Sequence, residues 1–327
     1  LEFRRVLFRS GNDEAANGII SFNNSSFIEL SSVSGNVTAG FYVRGLSSNV
    51  RAYIDTVQSF PNITLSSPIG EFEPGRVSAR CGAAAYRYFT AAIDDALAGR
   101  VDAIATCPIN KESLQAAKIP FIGHTEMFAE HTGAREEMTM FTISGLKIFF
   151  LTRHVSLRRA CELITKDRVA KGIDHCIKAL GQLGYDRPHL AVAALNPHGG
   201  EDGMFGNEEI DGIKPAIADA RAKGMQVSGP VPADSVFHLA RIGRYDAVLS
   251  LYHDQGHIAA KMMDFEKTVS VTLGLPVLRT SVDHGTAFDI AGTGKASAVS
   301  MIEAIKVAAE YVVKGVRLGE PVAKAAE

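Results

Sequence analysis

The sequence predicts an α/β protein built on a largely parallel sheet. From about residue 68 onward, short apolar runs typical of strands alternate with longer segments of helical periodicity. The chain has 327 residues, of which 46% are apolar and 21% charged, and this length suits one large domain or two smaller ones. Ligands of such sheets bind beyond the carboxyl ends of the strands, so the residues at those ends are the first candidates for function.

The predicted elements follow one another in a regular order. The first helix, "RVSARCGAAAYRYFTAAIDDALAGR", leads into the strand "VDAIATCP". Two further strands, "MTMFTISG" and "KIFFLTRH", are separated by a glycine-containing turn. The remaining segments alternate again: helix "LITKDRVAKGIDHCIKALGQLG", strand "HLAVAALNPHGGEDG", helix "EEIDGIKPAIADARAKG", strand "YDAVLSLYHDQG", extended "VSVTLGLPVLRTS" and helix "KASAVSMIEAIKVAAEYVVKG". The proline in "EEIDGIKPAIADARAKG" marks a break or a kink in that helix.

Charge and cysteine usage exclude several classes of partner. The net charge of −2 and the pI of about 6.6 predict neither nucleic acid nor an anionic membrane as an electrostatic partner. No apolar run approaches the roughly 18 residues that a membrane-spanning helix needs. The four cysteines lack CxxC spacing, which favours a reducing compartment. We therefore expect a cytoplasmic protein.

The first 66 residues differ from the rest. Residues 1–10, "LEFRRVLFRS", lack the apolar core and cleavage site of a signal peptide, and we interpret them as a non-native segment. Residues 11–66 are rich in Ser and Asn and are left unassigned, as irregular or short β structure. Residues 67–315 are expected to hold two α/β subdomains, and residues 316–327 a C-terminal tail.

Three apolar strands end in histidine. His154 follows "KIFFLTR", His198 follows "VAALNP" and His253 follows "VLSLY". Imidazole is a common ligand of transition metals, and three protein ligands with one open position are typical of catalytic sites. The pattern therefore indicates a divalent metal site. The alternative is that each histidine is simply a hydrogen-bonded residue at a strand end.

Two acids and two cations accompany these histidines. Asp254 and Asp234 could orient the imidazoles or join the coordination directly. Each could also cap a helix that begins just after it, and the two roles are compatible. Lys261 and Arg279 lie within apolar segments, so each is either reaching towards the surface or directed at an anion. The block "GHTE", with His124 and Thr125, supplies a bend, an imidazole and a hydroxyl, and together these residues suggest a phosphate or carboxylate site.

Two further segments give weaker signals. "DHGTAFDIAGTGKA" contains three glycines but matches neither GxGxxG nor the spacing of a phosphate-binding P-loop, so it indicates only a loop whose backbone approaches something closely. Lys111 in "CPINKE" follows a strand end and is a candidate general base, although a solvated lysine at a helix start fits the same pattern.

The longer blocks resemble a known family. "GHTE", "LNPHGGEDGMFGNEEID", "GPVPAD", "YHDQGH" and "TLGLPVLRTSVDHGTAFDIAGTGKA" are similar to the 4-hydroxythreonine-4-phosphate dehydrogenases of pyridoxal phosphate biosynthesis over residues 68 to 315. The resemblance implies a two-domain α/β/α fold like that of isocitrate and isopropylmalate dehydrogenases, with the active site in the cleft between the domains. It also implies a homodimer whose metal sites are shared across the interface.

The resemblance assigns a role to each candidate. The expected reaction is the NAD-dependent oxidation of 4-phosphohydroxy-L-threonine to a 3-keto acid that decarboxylates to 3-amino-2-oxopropyl phosphate. NADP is the alternative to NAD, and the expected metal is Zn, Mg, Co or Mn. His154, His198 and His253 match metal ligands. Asp234 and Asp254 match acids that support the site. The substrate-contacting positions are His124, Thr125, Lys261, Ser270 and Arg279. The cofactor-contacting positions are His284, Gly285, Thr286, Ala287, Asp289 and Gly292.

Two departures from the family keep alternatives open. Nothing matches the family's N-terminal "GDPAGIGPE"-like segment, which leaves an inactive, truncated member as one alternative. Ser270 stands where the family usually has an asparagine that contacts substrate, which weakens the case for that specific substrate. It keeps open a second alternative, a dehydrogenase of 4-phospho-D-threonate or 4-phospho-D-erythronate from sugar-acid catabolism. The "GHTE" block and the cations disfavour a dihydrodiol dehydrogenase, and the "DHGTAFDIAG" loop disfavours a metal-dependent phosphatase.

Overall fold

The computed structural model describes the side chains of residues 72–134 and 137–316, and the backbone of four strands nearer the start of the chain. Most of the non-native segment, the unassigned stretch and the C-terminal tail expected from the sequence lie outside these residues. The strands are β1 (Val6–Arg9), β2 (Asn17–Asn23), β3 (Phe27–Ser34), β4 (Phe41–Val43), β5 (Ala103–Thr106), β6 (Met138–Ile143), β7 (Leu146–Phe150), β8 (His189–Ala193), β9 (Gln226–Val231), β10 (Ala247–Ser250), β11 (Val269–Leu273) and β12 (Leu278–Val282).

The α-helices are α1 (Ala79–Leu97), α2 (Lys111–Ala116), α3 (His124–Thr132), α4 (Leu157–Glu162), α5 (Lys166–Gln182), α6 (Lys214–Ala222), α7 (Ala233–Arg241), α8 (His253–Met263) and α9 (Val299–Val313). From α1 to α9, helices and strands broadly alternate along the chain, although β6–β7 and β11–β12 follow each other directly. The chain divides into two compact units. The first unit comprises residues 1–137 and 274–327, and the second unit comprises residues 138–273.

In the first unit, β5 is central and pairs in parallel with β1 and β12, while β4 pairs antiparallel with β1. Helix α1 begins where Ser78 accepts a hydrogen bond from the Cys81 N–H, as a serine N-cap does. Gly82 lets α1 approach α2, because a Cβ at that position would lie 2.0 Å from the Ser113 carbonyl oxygen. Apolar residues of α1, β5 and α3 then form one buried core, which includes Phe89, Ile104 and Phe128.

In the second unit the strand order is β11-β6-β7-β10-β8-β9. The pairs β7–β10, β10–β8 and β8–β9 are parallel, and β6 pairs antiparallel with both β7 and β11. Strand β10 (Ala247–Ser250) is buried along its whole length, as is typical of a parallel strand covered on both faces. Helices α7 and α8 pack on one face of this sheet through Val236, Ala240 and Ala260.

The predicted fold class is confirmed, since helices and strands alternate in both units, and the strand and helix segments read from the sequence all contain the expected element. The break at Pro215 is also present: a π-helical turn over Glu209–Ile213 precedes α6, and the proline lies in its first turn. Within the described part of the chain, none of the helices combines the length and apolarity needed to cross a bilayer.

Candidate active site

The three predicted metal-binding histidines follow three adjacent parallel strands. His154 comes four residues after the end of β7, His198 five residues after the end of β8, and His253 opens helix α8 three residues after the end of β10. Strand β10 lies between β7 and β8. Because parallel strands end at the same edge of a sheet, one edge of the second unit carries all three histidine-bearing segments.

Carboxylates hold two of these imidazoles by Nδ1. The Nδ1 of His253 lies 2.6 Å from Asp254 Oδ1, and the Nδ1 of His198 lies 2.7 Å from Glu201 Oε1. A carboxylate on one ring nitrogen fixes the orientation of the ring and directs the other nitrogen outward, as in many metal sites. The role of Glu201 was missed in the sequence, although its spacing of three residues from His198 was the available signal.

A single chain does not bring the three histidines together as one group. The rings of His154 and His253 lie 5.8 Å apart, whereas His198 lies in an irregular turn with a left-handed backbone (φ 51°) and contacts Glu201 and Phe205. Over residues 72–134 and 137–316, no set of three or more His, Cys, Asp or Glu side chains is arranged to hold a metal ion.

His257 is a fourth histidine at this edge and was not predicted. Its ring stacks on that of His253 with centroids 3.6 Å apart, and its Nδ1 lies 2.8 Å from the His253 carbonyl oxygen. The rings of Phe141 and Phe150 pack against it at 4.5 and 4.4 Å. The spacing of four residues in "HDQGH" places the two histidines on one helix face, so the signal was present in the sequence.

The capping alternatives for the two acids are wrong. Helix α8 begins at His253 with Tyr252 as N-cap, so Asp254 lies inside the first turn and bonds the His253 ring. Helix α7 begins at Ala233 with Pro232 as N-cap, so Asp234 likewise lies in the first turn, where it is exposed. Both carboxylates are favourably placed for the positive end of a helix dipole.

The second unit also contains two of the predicted substrate contacts. Lys261 is partly buried, and its Nζ lies 5.0 Å from the centre of the Phe265 ring. Ser270 is buried in β11, where it pairs in register with Phe141 of β6.

In the first unit, Arg279 is buried in β12. Its Nε and Nη2 donate to Thr106 Oγ1 at 3.2 and 2.9 Å, and its guanidinium lies 5.6 Å from the Phe128 ring centre. Burial lowers the pKa of Arg279 to about 10, so the group remains a cation at neutral pH. A buried cation held by a neutral hydroxyl and an aromatic face can bind an anion at little further cost in desolvation.

His124 lies close to this cation at the start of helix α3, and Thr125 is the next residue of that helix. The predicted bend of "GHTE" is the N-terminus of this helix, with Gly123 as the cap residue. The His124 ring packs 4.9 Å from that of Phe89. Burial, and secondly the charge of Arg279, lower the pKa of His124 well below its ordinary value, so the imidazole is neutral at pH 7. Sequence and structure thus agree in placing His124 and Arg279 together.

A cavity of about 330 Å³ lies in the first unit beside the loop "DHGTAFDIAGTGKA" (residues 283–296), called the glycine-rich loop below. Five of the six predicted cofactor-contacting residues line it, whereas Asp289 does not: the five are His284, Gly285, Thr286, Ala287 and Gly292. The facing wall comes from α1 and the segment after β5, including Cys81, Cys107 and Asn110, which the sequence reading missed. Lys111, the candidate base, is the exposed first residue of α2 and is not part of the cavity lining.

Comparisons with known proteins show which family the chain resembles. A family model described as "Pyridoxal phosphate biosynthetic protein PdxA" matches residues 23–308. A protein of Symbiobacterium thermophilum described as "Putative D-threonate 4-phosphate dehydrogenase" is 64% identical over 243 residues, which are 74% of this chain and 72% of the relative. A relative with the same description from Clostridium botulinum strain Langeland is 57% identical over 74% of this chain and 73% of its own length.

Two solved structures extend the comparison. The 4-hydroxythreonine-4-phosphate dehydrogenase of Klebsiella pneumoniae is 45% identical with a TM-score of 0.70, over 75% of each chain. A terephthalate 1,2-cis-dihydrodiol dehydrogenase of Burkholderia xenovorans LB400 is 31% identical with a TM-score of 0.56, over 77% of this chain and 79% of that one. Both likenesses are consistent with the predicted fold of the isocitrate dehydrogenase type.

Proposed function

The chain belongs to the pyridoxal phosphate biosynthetic protein PdxA family, and from that membership we propose that it oxidises a phosphorylated four-carbon hydroxy acid with a nicotinamide cofactor. The C–H hydride of the secondary alcohol passes to the oxidised nicotinamide, and the hydroxyl proton passes to a base. The resulting 3-keto acid loses its carboxylate as carbon dioxide, and the enolate that remains takes up a proton at C2. The observation that carries the proposal is the set of three histidines at the ends of three adjacent parallel strands in a chain of this family.

The substrate we favour is D-threonate 4-phosphate. Relatives described by that activity are 57–64% identical to this chain, whereas the solved 4-hydroxythreonine-4-phosphate dehydrogenase from Klebsiella pneumoniae is 45% identical. The two candidate substrates share the phosphate, the carboxylate and the secondary hydroxyl, and they differ at C2, which carries a hydroxyl or an ammonium group. 4-Phosphohydroxy-L-threonine, the substrate expected first from the sequence, therefore remains the competing candidate, and a place in pyridoxal phosphate synthesis depends on it.

A cationic side chain and a neutral one would make different contacts with the substrate. Arg279 keeps a buried positive charge at neutral pH, which suits it to the substrate phosphate or carboxylate. The neutral His124 ring can donate or accept a hydrogen bond without adding charge. Thr125, Lys261 and Ser270 complete the proposed set, and holding both ends of a short substrate fixes the carbon that loses hydride.

The three strand-end histidines would hold a divalent metal. Their chemistry fits this role, because His198 and His253 each pair Nδ1 with a carboxylate and so present Nε2 as the donor atom. Bound there, a divalent metal supplies Lewis acidity to the substrate hydroxyl. Asp254 orients His253 directly, and Asp234 is assigned the supporting role that the family resemblance implies.

A homodimer would complete this metal site. The described residues of one chain gather no group of three metal-binding side chains, and His198 lies apart from His154 and His253. Helix α8, which starts with His253, exposes Ile258 and Met262 along one face, and Phe265 follows the helix. An exposed apolar stripe at this spacing is typical of a helix that packs against a partner. We therefore place the dimer interface on α8 and the metal ligands on both subunits.

The nicotinamide cofactor would bind in the cavity of the first unit. Its walls contain the loop residues His284, Gly285, Thr286, Ala287 and Gly292, and a Cβ at Gly285 would meet open space. Asp289 lies in the short helical turn of the same loop, outside the cavity lining, and its cofactor role stays a proposal. We propose NAD, with NADP as the alternative.

The direct test is reduction of NAD by the purified protein with a divalent metal and each of three substrates. They are D-threonate 4-phosphate, D-erythronate 4-phosphate and 4-phosphohydroxy-L-threonine. We expect fastest turnover of D-threonate 4-phosphate and none by His253→Ala. Preferential turnover of 4-phosphohydroxy-L-threonine would reverse the substrate assignment, and no turnover of any of them would refute the dehydrogenase proposal.

Mixing two inactive variants tests the shared site. If His198 and His253 serve one metal from different subunits, a heterodimer of His198→Ala and His253→Ala chains contains one intact site and one doubly altered site. Re-association of the two variants should then restore activity that neither has alone. A mixture as inactive as its components, in a preparation shown to contain heterodimers, would place the ligands on one chain.

A further inference from the structure

The segments that carry the three histidines leave the sheet of the second unit side by side. Beyond the strand ends their backbone groups no longer pair as in a sheet, so other groups must satisfy those that are buried. Side chains satisfy such backbone groups at Leu251 after β10 and at Ala194 after β8, and Thr152 after β7 supplies one of these side chains. All three are buried, and each lies two to four residues before a histidine.

A single buried side chain, Gln255, bridges two of these segments. Its Oε1 accepts a hydrogen bond from the Leu251 N–H at 2.7 Å, and its Nε2 donates to the Ala194 carbonyl oxygen at 2.8 Å. The side chain is 8% exposed and lies two residues after His253. Gln255 therefore joins the start of helix α8 to the strand end that leads to His198, using both functions of its amide.

Two further side chains, Thr152 and Glu209, also hold the histidine-bearing segments in place. Thr152 donates from Oγ1 to the Leu251 carbonyl oxygen at 2.8 Å, which links the segment of His154 to that of His253. Glu209, 1% exposed, accepts from the Leu195 and Asn196 N–H groups at 2.8 and 2.7 Å. Its other oxygen accepts from Asn196 Nδ2 at 2.8 Å.

Close packing leaves helix α8 little freedom to shift. A Cβ at Gly256 would lie 2.6 Å from the Phe150 ring, 2.7 Å from Ser250 Oγ and 2.8 Å from an Ile148 methyl group. The first turn of the helix is therefore pressed directly onto the ends of β7 and β10. In such a tightly packed region a change at Gln255 must move backbone, since no neighbouring space can absorb it.

We propose that Gln255, supported by Thr152 and Glu209, is a positioning residue that sets the spacing of the three histidine-bearing segments. This inference rests on the proposed role of His154, His198 and His253 as metal ligands. Both ends of the Gln255 amide are engaged by backbone groups, so we assign it no contact with substrate or metal. It acts by fixing Leu251 and Ala194, and this holds whether the histidines serve one site or two symmetric sites of a dimer.

The test compares the affinity for Co²⁺ of wild type, Gln255→Met and a control. Methionine is close to glutamine in shape and removes both hydrogen bonds. The matched control is Asp246→Ala, because Asp246 accepts from the His189 N–H at 2.7 Å and so joins the same two strands, β8 and β10, at their opposite ends. Affinity is read by competition with a chromophoric chelator, the ligand field by the visible Co²⁺ spectrum, and folding by thermal unfolding of the metal-free protein.

We expect Gln255→Met to bind Co²⁺ about tenfold to a hundredfold more weakly with an altered spectrum, as changes behind metal ligands do. Asp246→Ala should keep the wild-type affinity and spectrum even where it lowers the unfolding temperature as much. Thr152→Val, a smaller change, should weaken binding in the same direction if Gln255→Met does not fold. Wild-type affinity in both Gln255→Met and Thr152→Val would overturn the inference alone, whereas a wild-type protein without histidine-dependent metal binding would overturn the proposed metal site as well.

Discussion

Replacing Arg279 by methionine should show whether this buried cation stabilises the fold or binds the substrate anion. Burial lowers its pKa to about 10, which corresponds to a cost of about 3 kcal/mol for keeping the charge inside the folded protein. The substitution removes that cost, and it also removes the hydrogen bonds to Thr106 Oγ1 at 3.2 and 2.9 Å. Their loss should cost about 1–3 kcal/mol. The two effects oppose each other, so the free energy of unfolding should change by about 2 kcal/mol or less.

The effect of Arg279→Met on substrate binding should be larger, because nothing compensates for it. Losing one partner of a buried, charge-assisted contact with the substrate anion costs about 2–5 kcal/mol, which is at least about thirtyfold in affinity. Urea unfolding and KM for D-threonate 4-phosphate measure the two quantities. Arg159→Met is the control, since Arg159 pairs with Glu162 on the surface of the second unit. A loss of stability above about 4 kcal/mol with unchanged KM would show that Arg279 is structural.

Three further predictions test other parts of the site. Gly285→Val should raise the KM for NAD about tenfold, because its Cβ points into open space beside the cavity, and unfolding should be nearly unchanged; an unchanged KM would move the cofactor elsewhere. Ser270→Asn should shift the ratio of kcat/KM towards 4-phosphohydroxy-L-threonine by about tenfold, and no shift would exclude Ser270 from substrate selection. The pKa of His124 is lowered in the folded state, so below about pH 6.5 only the unfolded chain takes up the imidazole proton. As the pH falls, the free energy of unfolding therefore decreases by about 1.4 kcal/mol per pH unit through this group. Urea unfolding of His124→Asn across acid pH should lack that loss, and an identical slope would contradict it.

The sequence was sufficient to place His154, His198 and His253 at strand ends, because each apolar run was short and ended at a polar residue. It could not show that β10 lies between β7 and β8, since strand order depends on contacts between residues that are distant in the chain. It also left the role of Asp254 open between a helix cap and a partner of His253. The structure decides this because α8 begins two residues before the position that capping by Asp254 would require.

Three of the residues that were missed, Gln255, Glu209 and His257, act through backbone groups or through ring stacking. Gln255 and Glu209 satisfy buried N–H and C=O groups of loops, and which loops need such partners is known only once the fold is known. His257 was visible as a helical neighbour of His253, but its contacts with Phe141 and Phe150 come from another part of the sheet. The cavity wall around Cys81 likewise needs α1 and the glycine-rich loop to meet, which no local pattern predicts.

The amount of divalent metal bound per chain tests the central claim most directly. Wild type would be compared with His154→Ala, His198→Ala and His253→Ala after equal exposure to metal and removal of the excess. We predict one metal ion per chain for wild type and less than about a tenth of that for each variant. Full metal content in all three variants would contradict the account, because the metal site would then lie away from the three strand ends.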